Sequence, residues 1–202
     1  MTALSILFPI LAALLIWGVF IYNRLVQLRN LIANAWAQID VQLKRRHDLI
    51  PNLVQVAERY LKHEHDTLQA VIAARGQAQG LLDAARANPA SAAAISALAA
   101  GETALMGSLG RLLAVAENYP ELKADQTMRE LSEEITSTEN RVGFARQAYN
   151  DAVLDLNNAV QEFPAVLVAR LTGFAPAAPL ESTSSDAERA APQVRFEASQ
   201  QT

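Results

Sequence analysis

The side chains best suited to chemistry fall in three short runs. His63-Glu64-His65-Asp66 combines imidazoles and carboxylates, the ligand types of a divalent metal site. The spacing opposes that use. In a regular helix, residues two apart point about 200° away from each other. His63 and His65 therefore cannot close on one ion, and the run is not His-Glu-x-x-His. It reads as solvated helix surface, with no metal or other cofactor expected. Lys44-Arg45-Arg46-His47-Asp48 is a compact charged run just ahead of Pro51. It reads either as a solvated turn or as a patch of Lys44, Arg45, Arg46 and Asp48 for lipid headgroups or an acidic partner. His47 is expected to be exposed. The third run is Glu139-Asn140-Arg141. Glu139 paired with Arg141 or Arg146 makes a plain surface ion pair, whereas an inward Thr138 or Asn140 fixes helix register.

No Gly-rich phosphate loop and no nucleophile beside a base is present, so catalysis is not expected. The lack of cysteine excludes disulfides, thiolate metal sites and cysteine nucleophiles. A net charge of −4 and a pI near 5.4 do not describe a nucleic-acid binder. With 51% hydrophobic and 19% charged residues, the chain of 202 residues is not disordered as a whole. Its apolar content is mostly Ala, Leu, Val and Ile, which leans helical.

These residues must be positioned by elements that begin at a membrane. Ala3 to Tyr22 is an uncharged block of 20 residues, long enough as a helix to cross a bilayer core of about 30 Å. No basic residue precedes it, and the bulky run Trp17-Gly18-Val19-Phe20-Ile21-Tyr22 does not suit a signal-peptide cleavage site. The block reads as an uncleaved anchor, with Trp17, Tyr22 and Arg24 at the interface. Arg24, Arg29, Lys44, Arg45 and Arg46 follow it against one acid, Asp40. The basic flank places a short N-terminus outside and the body in the cytoplasm.

The body reads as four helical segments. Leu25, Leu28, Ile32, Ala35, Ile39 and Leu43 continue the anchor helix at spacings of three and four. Pro51 predicts a kink or a tight turn. A second segment spans about residues 52–86 and ends at Asn88-Pro89; a third spans about 90–117 and contains Gly101, Gly107 and Gly110. Those glycines suggest either close helix–helix approach through small residues, favoured because the Leu stripe persists through them, or a weak, mobile helix. In the fourth, Ile135, Thr138, Val142, Ala145, Tyr149, Ala152, Leu156, Ala159 and Phe163 alternate by three and four as a bundle or coiled-coil seam. The expected fold is all-α, a long antiparallel helix bundle continuous with an N-terminal transmembrane helix. The expected divisions are 1–23 for the outer N-terminus and span, 24–174 for the bundle, and 175–202 for a flexible Ala/Pro/Ser-rich tail, with Val194-Arg195-Phe196 its only apolar knot.

Several runs resemble the LemA family of bacterial membrane proteins. They are Tyr22 to Asn30, Ala35 to Val54 (with Trp36, the 44–48 run and Ile50-Pro51-Asn52), and Ala114 to Ala124 around Asn118-Tyr119-Pro120. Thr138-Glu139-Asn140-Arg141, Phe144 to Asn150 and Phe163-Pro164 complete the likeness. It departs at Asp155-Leu156-Asn157 and in the Ala-rich third segment. The resemblance implies one N-terminal span, a cytoplasmic helical body and no enzymatic activity, and carries over no catalytic residue. The expected role is a self-associating scaffold that organises or shapes the bacterial inner membrane. The alternative is an adaptor or sensor for another membrane protein. The expected partners are the lipid bilayer, further copies of the chain and a possible membrane protein, but no nucleic acid.

Overall fold

A computed structural model describes residues 2–180 apart from residue 90, with side chains from Leu7 onward. It is an antiparallel helical bundle, with no strand among the described residues. The elements are α1 (Thr2–Tyr60), α2 (His65–Ala87), α3 (Ala92–Ala116), the short α4 (Pro120–Ala124), α5 (Gln126–Gln161) and α6 (Ala165–Thr172).

The apolar N-terminal stretch and the first bundle helix are one element. α1 runs without interruption for 59 residues and contains both Pro9 and Pro51. A tight turn at Pro51 is thereby excluded, and the chain reverses ten residues later, in the turn before His65. The segment expected at 52–86 is divided between the end of α1 and α2. Magnitudes explain the outcome. Proline inside a helix costs about 3 kcal/mol. Beyond it Leu53, Val54, Val56 and Ala57 are all buried, and burying one large aliphatic side chain contributes about 1.5–3 kcal/mol.

α5 returns along α1, and the contacts fix the register. Tyr60 bonds Asp125 at the far end. Trp36 meets Tyr149 edge-on, with ring centroids 6.1 Å apart. Leu25 and Leu28 pack with Leu156 and Val160 at the near end. α2 and α3 form a second hairpin laid against this pair. Ile135, Val142, Tyr149 and Leu156 are buried along α5 and Ala145 is half-buried. Thr138 is also buried, its hydroxyl donating to the Glu134 carbonyl within its own helix. The expected seam does not extend to Phe163, which lies beyond the end of α5 and is 81% exposed.

Two helices are long and apolar enough to cross a membrane by length and composition, α1 from Leu7 and α3. In α1 only 6% of the most apolar window is buried inside the protein, against 39% in α3. α3 also carries the buried Glu102, so its apolar face belongs to the bundle core. Of the α3 glycines, Gly101 alone sits at a close approach. A Cβ there would fall 2.5 Å from the Leu81 Cδ1, whereas nothing lies within 4 Å of one at Gly107 or Gly110.

Candidate functional site

The charged run 44–48 lies in the middle of α1, and the helical period divides it. Lys44, Arg45 and Asp48 face outward. Arg46 and His47 face the core, at 1% and 0% exposure. Arg46 is thus removed from the expected surface patch, and His47 is not exposed. The physical reason is register. Ile39, Leu43, Arg46, Ile50 and Leu53 form one stripe at spacings of four, three, four and three, and the stripe enters the core with its Arg included.

That burial is supported by partners from every other long helix. The Arg46 guanidinium donates to Glu102 on α3 and Glu139 on α5, and one of its nitrogens lies 3.2 Å from the Met106 sulfur. The His47 Nε2 lies 2.9 Å from Glu102 Oε1, and its Nδ1 lies 3.1 Å from Gln79 Oε1 on α2. Glu102 occupies the α3 stripe of Ile95, Leu98, Leu105 and Leu109 as Arg46 occupies that of α1. Glu139 is not confined to a surface pair within its own helix: it bonds Arg46 across the helix interface. Burial alone would raise the Glu102 carboxyl. The hydrogen bond from His47 and the charge of Arg46 outweigh it, so Glu102 stays below its ordinary value. Arg146 is pushed down, chiefly by burial and then by the Arg46 charge, with Glu102 opposing. Arg46, Arg146, Glu102 and Glu139 border a cavity of about 160 Å³. Buried ion pairs add little net stability but penalise arrangements that separate them.

The outward half of the run forms a different surface. Lys44, Arg45, Asp48, Asp40, Val41 and Arg86 line an open groove. Arg86 Nε bonds Asp40 at 2.5 Å, and Arg45 pairs with Glu134 at 2.5 Å. The His63–Asp66 run is not mid-helix surface: His63 lies in the turn between α1 and α2, and His65 opens α2. Among the described residues no group of three His, Asp or Glu is arranged to hold a metal ion. Of the expected interface residues, Trp17 and Tyr22 are 48% and 41% exposed, and Arg24 is exposed. Tyr22 also meets Phe174 edge-on at 5.9 Å.

Residues 174–180, mostly within the segment expected to be a flexible tail, are non-helical yet fastened to α5. The Asn157 side chain accepts from the Ala177 amide at 2.8 Å and donates to the Ala177 carbonyl at 2.9 Å. Asn150 holds Leu180 in the same reciprocal way, at 2.8 and 3.0 Å. The spacing matches: seven helical residues rise about 10.5 Å, and three residues of polyproline-like chain span about 9.3 Å. Pro176 and Pro179 favour that extended form in the residues before them. The sequence signal was two Asn one heptad apart on α5, opposite an Ala-Pro repeat. Residues 181–202, including Val194-Arg195-Phe196, lie outside the described residues.

The LemA family model matches residues 35–196. The chain is 23% identical over 171 residues to the magnetosome protein MamQ of Magnetospirillum gryphiswaldense, covering 76% of this chain and 62% of that relative. It is 25% identical over 171 residues, with the same coverage, to the magnetosome proteins MamQ 1 and MamQ 2 of Paramagnetospirillum magneticum. The chain thus spans less than two thirds of the length of these relatives. The family match covers most of the chain, including the stripe that buries Arg46 and the α5 clamps. This membrane-associated helical protein belongs to the LemA family.

Proposed function

We propose that the protein is a non-catalytic, single-pass protein of the bacterial inner membrane, with its N-terminus outside and its bundle in the cytoplasm. Its long helices self-associate, and the resulting scaffold organises or shapes the membrane. The observation that carries this reading is the continuity of α1 from its exposed apolar stretch into the bundle core. A body joined to its anchor by one helix cannot swivel freely, so lateral contacts between bodies impose an arrangement on the anchors. The basic flank from Arg24 to Arg46 supports the orientation. The test is electron microscopy of gently isolated membranes containing the full-length protein. Ordered arrays or reshaped membranes are expected. Dispersed small particles would overturn the scaffold.

A second reading, an adaptor or sensor for another membrane protein, is favoured by the groove of Lys44, Arg45, Asp48 and Arg86. Its mixed charge suits a protein partner of complementary pattern. Arg45→Glu should then release a co-purifying partner without unfolding the bundle. Retention of that partner by the variant removes this reading.

A further inference from the structure

The register of α5 on α1 carries its C-terminal end up to the apolar stretch of α1. Glu162 and Ala165 share one pocket with Trp17, Ile21 and Arg24. α6 therefore packs on the parts of α1 and α5 nearest the membrane, and Ala169 is its buried contact, among Leu25, Leu28 and Val160. Gly173, at φ 75°, stops the helix and turns the chain back along α5. The rest of α6 is not turned inward. Phe163, Leu167 and Leu171 are 81%, 54% and 87% exposed. Leu167 and Leu171 are one helical turn apart and share a face. Three large apolar side chains in water at one end of a bundle are a cost, unless that end meets an apolar phase.

We propose that Phe163, Leu167 and Leu171 are seated in the interfacial zone of the same phospholipid bilayer that α1 enters, making α6 a second, peripheral membrane contact. The inference rests on the membrane reading of α1. Continuity identifies the occupant: the exposed apolar surface of α1 includes Trp17 and Phe20, and the pocket that both line is also lined by Ala165. Arg170 stands between the two leucines in sequence, as expected of a short helix lying among anionic headgroups. The consequence is mechanical. A second contact beside the span limits how far the rigidly joined bundle can tilt against the bilayer.

The chain has no cysteine, so single labels can be placed cleanly. Leu14→Cys, Ile72→Cys, Leu167→Cys and Leu171→Cys in the full-length protein would each carry an environment-sensitive dye. The labelled proteins would be reconstituted in phosphatidylethanolamine–phosphatidylglycerol vesicles bearing spin-labelled lipid. Labels at 167 and 171 should be quenched by headgroup-proximal spin labels about twofold or more above the label at 72. The label at 14 should be quenched by spin labels deep in the acyl region. Quenching at 14 with none at 167 and 171 overturns the α6 contact and leaves the anchor standing. No quenching at 14 overturns the membrane reading itself. Shielding at 171 that depends on protein density and not on lipid quencher assigns the face to a second copy and overturns the bilayer contact.

Discussion

Arg75 of α2 donates its Nε hydrogen to the carbonyl of His47 on α1, at 2.6 Å. That carbonyl is the one an amide at position 51 would have bonded, and Pro51 has no amide hydrogen. The neighbouring helix thus replaces the donor that the proline removes. This is how α1 crosses Pro51 and still delivers Leu53, Val56 and Ala57 to the core.

Arg75→Met should therefore destabilise the bundle by about 1–3 kcal/mol, the usual cost of a carbonyl left unpaired. In a Pro51→Ala background the same substitution should cost much less, because the substituted alanine restores the helical amide donor. Chemical denaturation of the four full-length proteins in one detergent completes the cycle. Equal costs in both backgrounds would break the link between Arg75 and Pro51.

Removing one partner of the central network should be severe. Glu102→Leu leaves Arg46 and His47 facing a hydrocarbon side chain, and about 3–5 kcal/mol of stability should be lost. Arg45→Ala, on the outward face of the same helical turn, should change stability by about 1 kcal/mol or less, since Arg45 is the exposed half of its pair with the half-buried Glu134. Comparable unfolding midpoints for the two variants would show the network to be dispensable.

Acid should weaken the fold through the same carboxylate. Glu102 binds its proton less readily in the folded protein than its ordinary value of 4.5. The unfolded chain therefore takes up the proton first as pH falls. The stabilisation is present above about pH 4.5 and is lost as pH drops through the lower folded-state value. Unfolding free energies measured between about pH 6 and 3 should fall with acid, and Glu102→Gln should flatten that slope. Asp125, held down chiefly by the Met128 amide and next by the Tyr60 hydroxyl, contributes in the same direction.

The α3 glycines should separate under substitution. Gly107→Ala and Gly110→Ala place a methyl group in open space and should each stabilise the protein by about 0.5–1 kcal/mol through helix propensity. Gly101→Ala must first displace the Leu81 methyl, so its gain should be smaller or reversed. Thermal unfolding of the three variants is the measurement.

Asn157→Ala should release residues 174–180 from α5. The Ala177 amide should lose protection against hydrogen exchange, while amides in the core of α3 keep theirs. Unchanged exchange at Ala177 would mean that Leu180 and the Asn150 clamp hold the segment unaided.

The elements were legible because their signals are local. An uncharged block of bilayer length, apolar residues every three or four, and Asn-Pro or Tyr-Pro punctuation specify helices whatever surrounds them. Those signals gave α3, α5, the part of α1 before Pro51 and the antiparallel fold class. Pro51 misled the reading of the first boundary because its cost is local, whereas the burial that outweighs it and the Arg75 donor come from other helices. The central network was concealed by composition. Lys44 to Asp48 reads as solvated when taken as a run. Only the stripe through Ile39, Leu43 and Ile50 marks Arg46 as inward, and only packing against α3 and α5 supplies the two carboxylates that make its burial tolerable. The placement of Glu162 and α6 beside Trp17, Ile21 and Arg24 of α1 came from tertiary register alone. Periodicity along α5 defines a face, but the residue of α1 that each turn meets depends on where Arg46, Trp36 and Tyr60 find their partners.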